Sequence, residues 1–158
     1  MVGIDVCQAQ VSDAAEACRV LRRSISEVCG PDYGHDPDIM AEWLANKTPE
    51  SVTAWIEDPI NVSVVAKHGD EVIGFAVLRE NTILLNYVAP EYLRRGAGRL
   101  MLAALERHAI ADGLTELRCV STITARSFYE AGGFEAAGEA TCLGNVIGEF
   151  PLRKCIAI

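Results

Sequence analysis

Three arginines and two glycines lie close together in the middle of the chain, and their types and spacing suit the binding of an anion. Arg94, Arg95 and Arg99 flank Gly96 and Gly98. Arginine donates charge-assisted hydrogen bonds whose geometry matches phosphate. A glycine turn that opens a helix presents free main-chain N–H groups and the positive end of the helix dipole. The segment therefore predicts a cradle for a pyrophosphate group.

The residues on either side predict that a strand and a helix hold this cradle. The apolar run 83–88 is typical of a buried strand, and residues 100–106 are typical of a helix packed on it. Two common nucleotide motifs do not fit the spacing. A dinucleotide fingerprint needs a third glycine where Met101 stands, and no G-x-x-x-x-G-K-[ST] pattern occurs.

A second motif follows after one helix and one strand. Residues 116–121 alternate as a strand, and residues 125–134 have the pattern A-x-x-F-Y-x-x-x-G-F. Thr122 or Thr124 is expected to cap the helix that carries this pattern. The two motifs would thus lie at the carboxyl ends of neighbouring strands, where open α/β sheets bind ligands.

Together the two motifs resemble the GCN5-related N-acetyltransferases (GNAT). Residues 93–98 are similar to the family's acetyl-CoA motif [Q/R]-x-x-G-x-[G/A], with Leu93 in place of the usual Gln or Arg. Residues 125–134 are similar to its second signature. Thr122 stands where an Asn that contacts the cofactor often occurs. Residues 43–56 also resemble a group of bacterial acetyltransferases.

The order of the predicted elements agrees with the fold that the resemblance implies. Strands with an inserted helical pair, followed by alternating strands and helices, give an α/β (α+β) fold with a mixed sheet covered by helices. The family fold has a mixed, mostly antiparallel sheet with a splayed parallel pair, flanked by helices. Residues 1–158 are expected to form one such domain.

The rest of the chain gives coarser predictions for individual elements. They are a strand at 4–6, a capping box at 12–16 that starts a helix through Val28, a loop at 29–37, two short helices before Pro59, hairpin strands at 62–67 and 72–78, and two strands after Phe134.

The resemblance implies that acetyl-CoA enters between the strand ending at Val88 and the strand ending at Ser121, with no metal. The implied cofactor-binding residues come from both strand ends and both following helices. They are Val88, Ala89, Arg94, Arg95, Gly96, Ala97, Gly98, Arg99, Ser121, Thr122 and Tyr129.

Aminolysis of a thioester sets the requirements for catalysis. The acceptor amine must lose a proton before it attacks, because amines are mostly protonated at neutral pH. The resemblance implies that the main-chain N–H of Val88, at a bulged strand end, donates to the oxyanion and that Tyr129 protonates the leaving thiolate. Asn86 is a candidate to orient water or the acceptor. Tyr129 could instead be a core aromatic residue.

The general base is not identified by the sequence. His35 lies between Asp32 and Asp36 in a loop, which could set its titration near neutral pH, although a solvated loop histidine is the simpler interpretation. Glu149 is a second candidate.

Composition excludes several functions. The net charge of −8 argues against nucleic acid and mildly favours a cationic acceptor. No apolar run reaches the ~20 residues of a membrane span, and no signal-like segment begins the chain. None of the six cysteines forms a C-x-x-C pair. A cytoplasmic protein is expected, and a homodimer is left open.

The predicted function is transfer of an acetyl group from acetyl-CoA to a primary amine, on a small molecule or a peptide, by direct attack in a ternary complex. The alternative is a non-catalytic acyl-CoA-binding module with a regulatory or interaction role.

Overall fold

A mixed β-sheet forms the centre of the fold. The computed structural model describes residues 3–143 and 146–156, and for residues 142, 143 and 146–148 it describes the backbone alone. The strands are β1 Ile4–Gln8, β2 Asn61–His68, β3 Glu71–Arg79, β4 Thr82–Val88, β5 Glu116–Ser121, β6 Glu135–Ala136, β7 Thr141–Leu143 and β8 Val146–Cys155. Their order is β1-β2-β3-β4-β5-β8-β6, with β7 paired to β8. Only the β4–β5 pair is parallel among the described strands.

The helices lie before, between and after the central strands. They are α1 Ala14–Val28, α2 Pro37–Leu44, α3 Pro49–Glu57, α4 Ala97–Ala111 and α5 Ile123–Ala131, with short 3₁₀ turns at Val11–Asp13, Gly30–Tyr33 and Pro90–Tyr92. None of the described helices is long and apolar enough to cross a membrane. The predicted fold class, a mixed and mostly antiparallel sheet with one parallel pair and flanking helices, is confirmed.

Helices α1 and α4 cover opposite faces of the sheet. The Asn86 side chain donates from Nδ2 to the carbonyl oxygen of Gly98 in α4 at 3.3 Å. Its neighbour Tyr87 packs against a cluster formed by Ile25 of α1, Cys29 and Tyr33. Because successive side chains of a strand point to opposite faces, the two helices must lie on opposite sides of β4. The long apolar run of β3 is typical of a strand that is covered on both faces.

The start of α1 differs from the predicted capping box at residues 12–16. The main-chain N–H of Gln10 donates to Oδ2 of Asp13 at 2.9 Å, so the box begins before the 3₁₀ turn. Asp13 also forms a 3.1 Å ion pair with Lys67. Glu16 instead accepts a hydrogen bond from the N–H of Val72 at 3.2 Å. Both carboxylates therefore bind partners in the sheet, Lys67 for Asp13 and Val72 for Glu16. The local pattern does not reveal these contacts.

Two other predictions need correction. The predicted loop at 29–37 contains the 3₁₀ turn Gly30–Tyr33 and ends at Asp36, whose side chain caps α2. Three described strands rather than two follow Phe134, because β6 is only two residues long and has no alternation to detect.

Leu105 tests the contribution of core packing, with Leu100 on the same helix as a matched control. Leu105 is fully buried, whereas Leu100 is 44% exposed. We expect Leu105→Ala to lower the free energy of unfolding by about 2–5 kcal/mol, because it leaves a cavity between α4 and the sheet. Leu100→Ala should lower it by less than about 1 kcal/mol. Urea denaturation measures both, and equal effects would contradict this placement of the core.

Candidate active site

The parallel strands β4 and β5 separate soon after they meet. They pair only at Thr82 with Arg118 and at Ile83 with Cys119. Just beyond this point β4 has a bulge at Leu84, because Ile83 and Leu85 pair with adjacent residues of β3. A bulge bends its strand and increases its twist. The separation opens a cleft of about 800 Å³ between β4, β5 and the helices that follow them.

The N–H of Val88 points into this opening. The N–H of Ala89 donates to Ile73 of β3 at 2.8 Å. Hydrogen bonds alternate along an antiparallel pair, so the N–H of Val88, paired with Gly74, is directed away from β3. On that side β5 has already diverged. The predicted oxyanion donor is thus a main-chain donor on the cleft side of β4, although the bulge lies at Leu84 and not at the strand end.

The first turn of α4 forms one end of the cleft. Gly96 has φ of 92° and precedes the helix, and its carbonyl oxygen accepts the first helical hydrogen bond from Leu100 at 3.0 Å. The N–H groups of Ala97, Gly98 and Arg99 therefore have no acceptor within the helix. All three residues line the cleft. This arrangement presents main-chain donors and a positive dipole end to an anion.

The helix that carries Tyr129 lies directly against this turn. A Cβ atom added to Gly98 would lie 3.2 Å from Cε1 of Phe128, so glycine permits the close approach of α4 and α5. Phe128 and Tyr129 form an edge-to-face pair with centroids 5.2 Å apart. The two sequence motifs are thus packed on each other in the folded chain.

The three arginines do not have equivalent positions. Arg94 and Arg99 line the cleft, and Arg94 has a left-handed φ of 61°. Arg95 is outside the lining, with its guanidinium carbon 5.5 Å from the centre of the Tyr92 ring. The hydroxyl of Tyr92 donates to Glu71 at 3.2 Å.

A charged contact joins the 3₁₀ turn before the cradle to α1. Both guanidinium nitrogens Nη1 and Nη2 of Arg23 contact the Glu91 carboxylate, at 2.9 and 2.8 Å. Bidentate geometry of this kind restricts the relative position of both groups.

Tyr129 is a buried tyrosine with a neutral hydroxyl. It is 6% exposed and also packs edge-on against Phe134, with centroids 5.3 Å apart. Burial is the main cause that raises the pKa of Tyr129 above its ordinary value, and the nearby Cys119 and Tyr87 add to this effect. Its hydroxyl therefore remains a proton donor throughout the physiological range.

The end of β5 and the start of α5 line the cleft opposite Val88. The hydroxyl of Ser121 donates to the carbonyl oxygen of Thr122 at 2.8 Å. Thr122 is the N-cap of α5, since its hydroxyl oxygen accepts from the N–H of Ala125 at 3.2 Å. Of the two predicted caps, Thr122 is therefore confirmed.

Most of the predicted site residues lie together, and a few do not. Those that line the cleft are Asn86, Val88, Arg94, Gly96, Ala97, Gly98, Arg99, Ser121, Thr122 and Tyr129. Ala89 is buried beside it and donates to β3. The candidate bases His35 and Glu149 do not line it: His35 lies edge-on to Tyr33, and Glu149 accepts from Thr141.

The sequence does not identify the wall of the cleft on the α1 side. Ser24, Cys29, Tyr87 and Thr124 line this wall. Burial raises the pKa of the Cys29 thiol to about 12, and the Asp32 carboxylate adds to the shift. Tyr87 occurs within an apolar run that predicts only a buried strand, so the sequence does not indicate that its side chain lines the cleft.

The chemistry available to the cleft is that of hydrogen-bond donors, neutral hydroxyls and arginines. Among the described residues, no group of three or more His, Cys, Asp or Glu side chains is placed to hold a metal ion. The cysteines whose side chains are described, Cys7, Cys18, Cys29, Cys119 and Cys155, are not in disulfides.

Comparison with known proteins gives relatives along nearly all of the chain. The family described as the acetyltransferase (GNAT) domain matches residues 29–154. A relative in Escherichia coli K12, the uncharacterized N-acetyltransferase YafP, is 27% identical over an alignment of 156 residues that covers 97% of each chain.

Solved structures show the same fold. A GCN5-related N-acetyltransferase from Rhodopseudomonas palustris superposes with a TM-score of 0.84 at 22% identity, covering 98% of each chain. The PaiA N-acetyltransferase from Thermoplasma acidophilum, solved with coenzyme A, gives 0.80 at 21% identity, covering 97% of this chain and 99% of the other. With a family match over most of its length and this fold, the chain belongs to the GNAT family of acetyltransferases.

Proposed function

We propose that this protein transfers the acetyl group of acetyl-CoA to a primary amine by direct attack within a ternary complex. The observation that carries the proposal is the opening between β4 and β5, which brings three kinds of donor to one cleft. These are the first turn of α4, the N–H of Val88 and the hydroxyl of Tyr129. Membership of an acetyltransferase family and a relative solved with coenzyme A support the choice of donor.

The first turn of α4 would bind the pyrophosphate of the donor. Its main-chain N–H groups need no particular side chain, which accounts for Leu93 where the family usually has Gln or Arg. Arg94 and Arg99 would add charge-assisted hydrogen bonds, and Arg95 would reach the phosphates only by leaving the Tyr92 ring. Although the net charge is −8, these arginines dominate locally because the Debye length is ~8 Å.

In the transfer step, the neutral amine attacks the thioester carbonyl, so that a C–N bond forms and the C–S bond breaks. The N–H of Val88 stabilises the oxyanion that develops on the carbonyl oxygen. Tyr129 gives its proton to the departing thiolate, and the excess proton of the amine passes to solvent water, from which Tyr129 is reprotonated. Asn86 holds the first turn of α4 against β4 through its bond to Gly98.

The protonated thiol of Cys29 favours direct attack by the amine over a mechanism with an acyl-enzyme intermediate. Cys29 is the cysteine among the described lining residues of the cleft, and nucleophilic catalysis would require its thiolate. Its pKa is raised to about 12, so at neutral pH the thiol remains protonated.

We also propose that residues 1–158 act as one domain in a reducing compartment such as the cytoplasm. The matches run along almost the whole chain, and the described cysteines are not in disulfides.

The alternative function, an acyl-CoA-binding module without turnover, is less favoured because Tyr129 retains a neutral hydroxyl beside the cleft. Thiol release from acetyl-CoA across a panel of amines separates the two.

Gly96 and Gly113 provide a matched pair to test the cradle. Both have left-handed φ values, 92° and 81°, and neither has an atom within 4 Å of an added Cβ. A β-branched residue strains this conformation. We expect Gly96→Val to weaken coenzyme A binding by at least about 10-fold, because it distorts the first turn of α4. Gly113→Val, at the other end of α4, should leave the dissociation constant unchanged; titration calorimetry that shows equal losses would refute the cradle.

Tyr129→Phe tests the proton donor. Without the hydroxyl, kcat should fall about 100-fold or more, while the dissociation constant of coenzyme A stays within a factor of about two. The control is Tyr33→Phe, which removes another buried hydroxyl, one that donates to Ser26 and lies outside the cleft lining. Unchanged kcat in Tyr129→Phe would rule out the donor role.

The pH profile follows from the raised pKa of Tyr129. Because this group binds its proton more tightly than a free tyrosine, it stays protonated up to and beyond pH 10. Meanwhile the neutral fraction of the acceptor amine increases with pH. We expect kcat/KM to rise with pH and to show no decrease below about pH 9. A decrease there that disappears in Tyr129→Phe would contradict the assignment.

A further inference from the structure

We propose that Asp32 recognises a second positive charge on the acceptor, so that the preferred acceptors are amines that carry another cationic group. This inference rests on the proposed function, because it concerns the acceptor side of the same cleft. It assigns a role to a carboxylate in the 3₁₀ turn between α1 and α2.

The Asp32 side chain is buried and only half satisfied. It is 8% exposed. Its Oδ1 accepts a hydrogen bond from the N–H of Thr124 at 2.9 Å. Its Oδ2 is enclosed and has no partner among the described residues by hydrogen-bond geometry; the Cys29 thiol, a weak donor, lies close enough to interact with the carboxylate. Buried carboxylate oxygens without a donor are rare and call for an explanation.

Asp32 lies directly behind the α1-side wall of the cleft. Thr124, which it holds, lines the cleft. Cys29 and Tyr87 also line it, and both are near enough to Asp32 for its charge to raise their pKa values. The carboxylate therefore touches Thr124 and lies within Coulombic range of Cys29 and Tyr87, three residues that line the cleft.

The charge of Asp32 has no basic partner in the described part of the chain. None of the ion pairs of the structure involves it. The N-terminus of α5 offsets part of the charge through one N–H group. For charges near a protein surface, the Coulomb interaction at a given distance is about four times stronger than in bulk water. A cation on the cleft side of Cys29, Tyr87 and Thr124 would be attracted without touching the carboxylate.

The reacting amine is not the group that Asp32 would bind. A carboxylate beside that amine would keep it protonated and slow the attack. Moreover, Thr124 and Tyr129 are five residues apart on α5, which corresponds to roughly 7.5 Å along the helix. An acceptor with its reacting nitrogen near Tyr129 and a second cation near Thr124 would span this distance with a short alkyl chain.

Two amines of equal length provide the test: 1,4-diaminobutane, and 4-aminobutan-1-ol, in which a hydroxyl replaces the second ammonium group. Their binding to the protein saturated with coenzyme A is measured by titration calorimetry, so that no turnover is required. We expect the wild type to bind the diamine at least about 10-fold more tightly than the amino alcohol. Asp32→Asn should reduce this ratio to about two or less.

Asp32→Asn separates charge from structure. An Asn oxygen can still accept the N–H of Thr124, so the N-terminus of α5 and coenzyme A binding should be retained. Asp36→Asn is the matched control, because Asp36 is a nearby helix-capping carboxylate, exposed at the start of α2. It should leave the preference for the diamine unchanged.

The outcomes distinguish this inference from the proposed function. Equal or undetectable binding of the two amines to the wild type, or a preference that survives in Asp32→Asn, would overturn the role of Asp32. Acetylation of both amines at the same rate would then leave the acetyltransferase function intact. A preference that depends on Asp32, without any thiol release from acetyl-CoA, would support the inference and reject the catalytic function.

Discussion

The site depends on the fact that β4 and β5 stop pairing after two residues. Backbone N–H and C=O groups in a protein interior must be satisfied, and a strand that loses its neighbour leaves a row of them unpaired. Here the row belongs to β4 and includes the N–H of Val88, which the β3 ladder directs toward the gap. The same separation makes room for a ligand and provides the groups that would bind it. The cleft and the main-chain donor on β4 therefore have one structural origin.

The two helices that follow these strands are fixed to each other as well as to the sheet. Gly98 allows Phe128 to lie against the first turn of α4, and Asn86 holds that turn through the carbonyl oxygen of Gly98. The first turn of α4 and the hydroxyl of Tyr129 are consequently positioned by the same small set of contacts. On the other side of β4, Asp32 connects the turn after α1 to the N-terminus of α5. The proposed donor and acceptor regions thus share α5.

The sequence predicted the fold class and the two motifs because those features are local. A glycine turn between a strand and a helix, and an aromatic pair in the second half of the next helix, can be recognised from neighbouring residues. Asp32 and Thr124 are 92 positions apart, and no local pattern indicates that they meet. Asp13 and Glu16 are misleading for the same reason, since their partners Lys67 and Val72 are distant in the chain. Within residues 29–37, the sequence indicated His35 as a candidate base and did not indicate that Asp32 is buried. Burial of one residue cannot be inferred from a run of turn-forming residues.

The bulge at Leu84 has a consequence for how the sequence of β4 maps onto its two faces. A strand alternates its side chains between two faces, and a bulge shifts that alternation by one residue for everything beyond it. Because Leu84 is left out of the pairing, Asn86 lies opposite Ala76 and Tyr87 opposite Phe75, so that Asn86 faces α4 and Tyr87 faces α1. A regular ladder over the same residues would instead place Asn86 opposite Phe75, on the other face of the sheet. The irregular pairing, which simple alternation along the strand does not predict, therefore decides which side chain faces each helix.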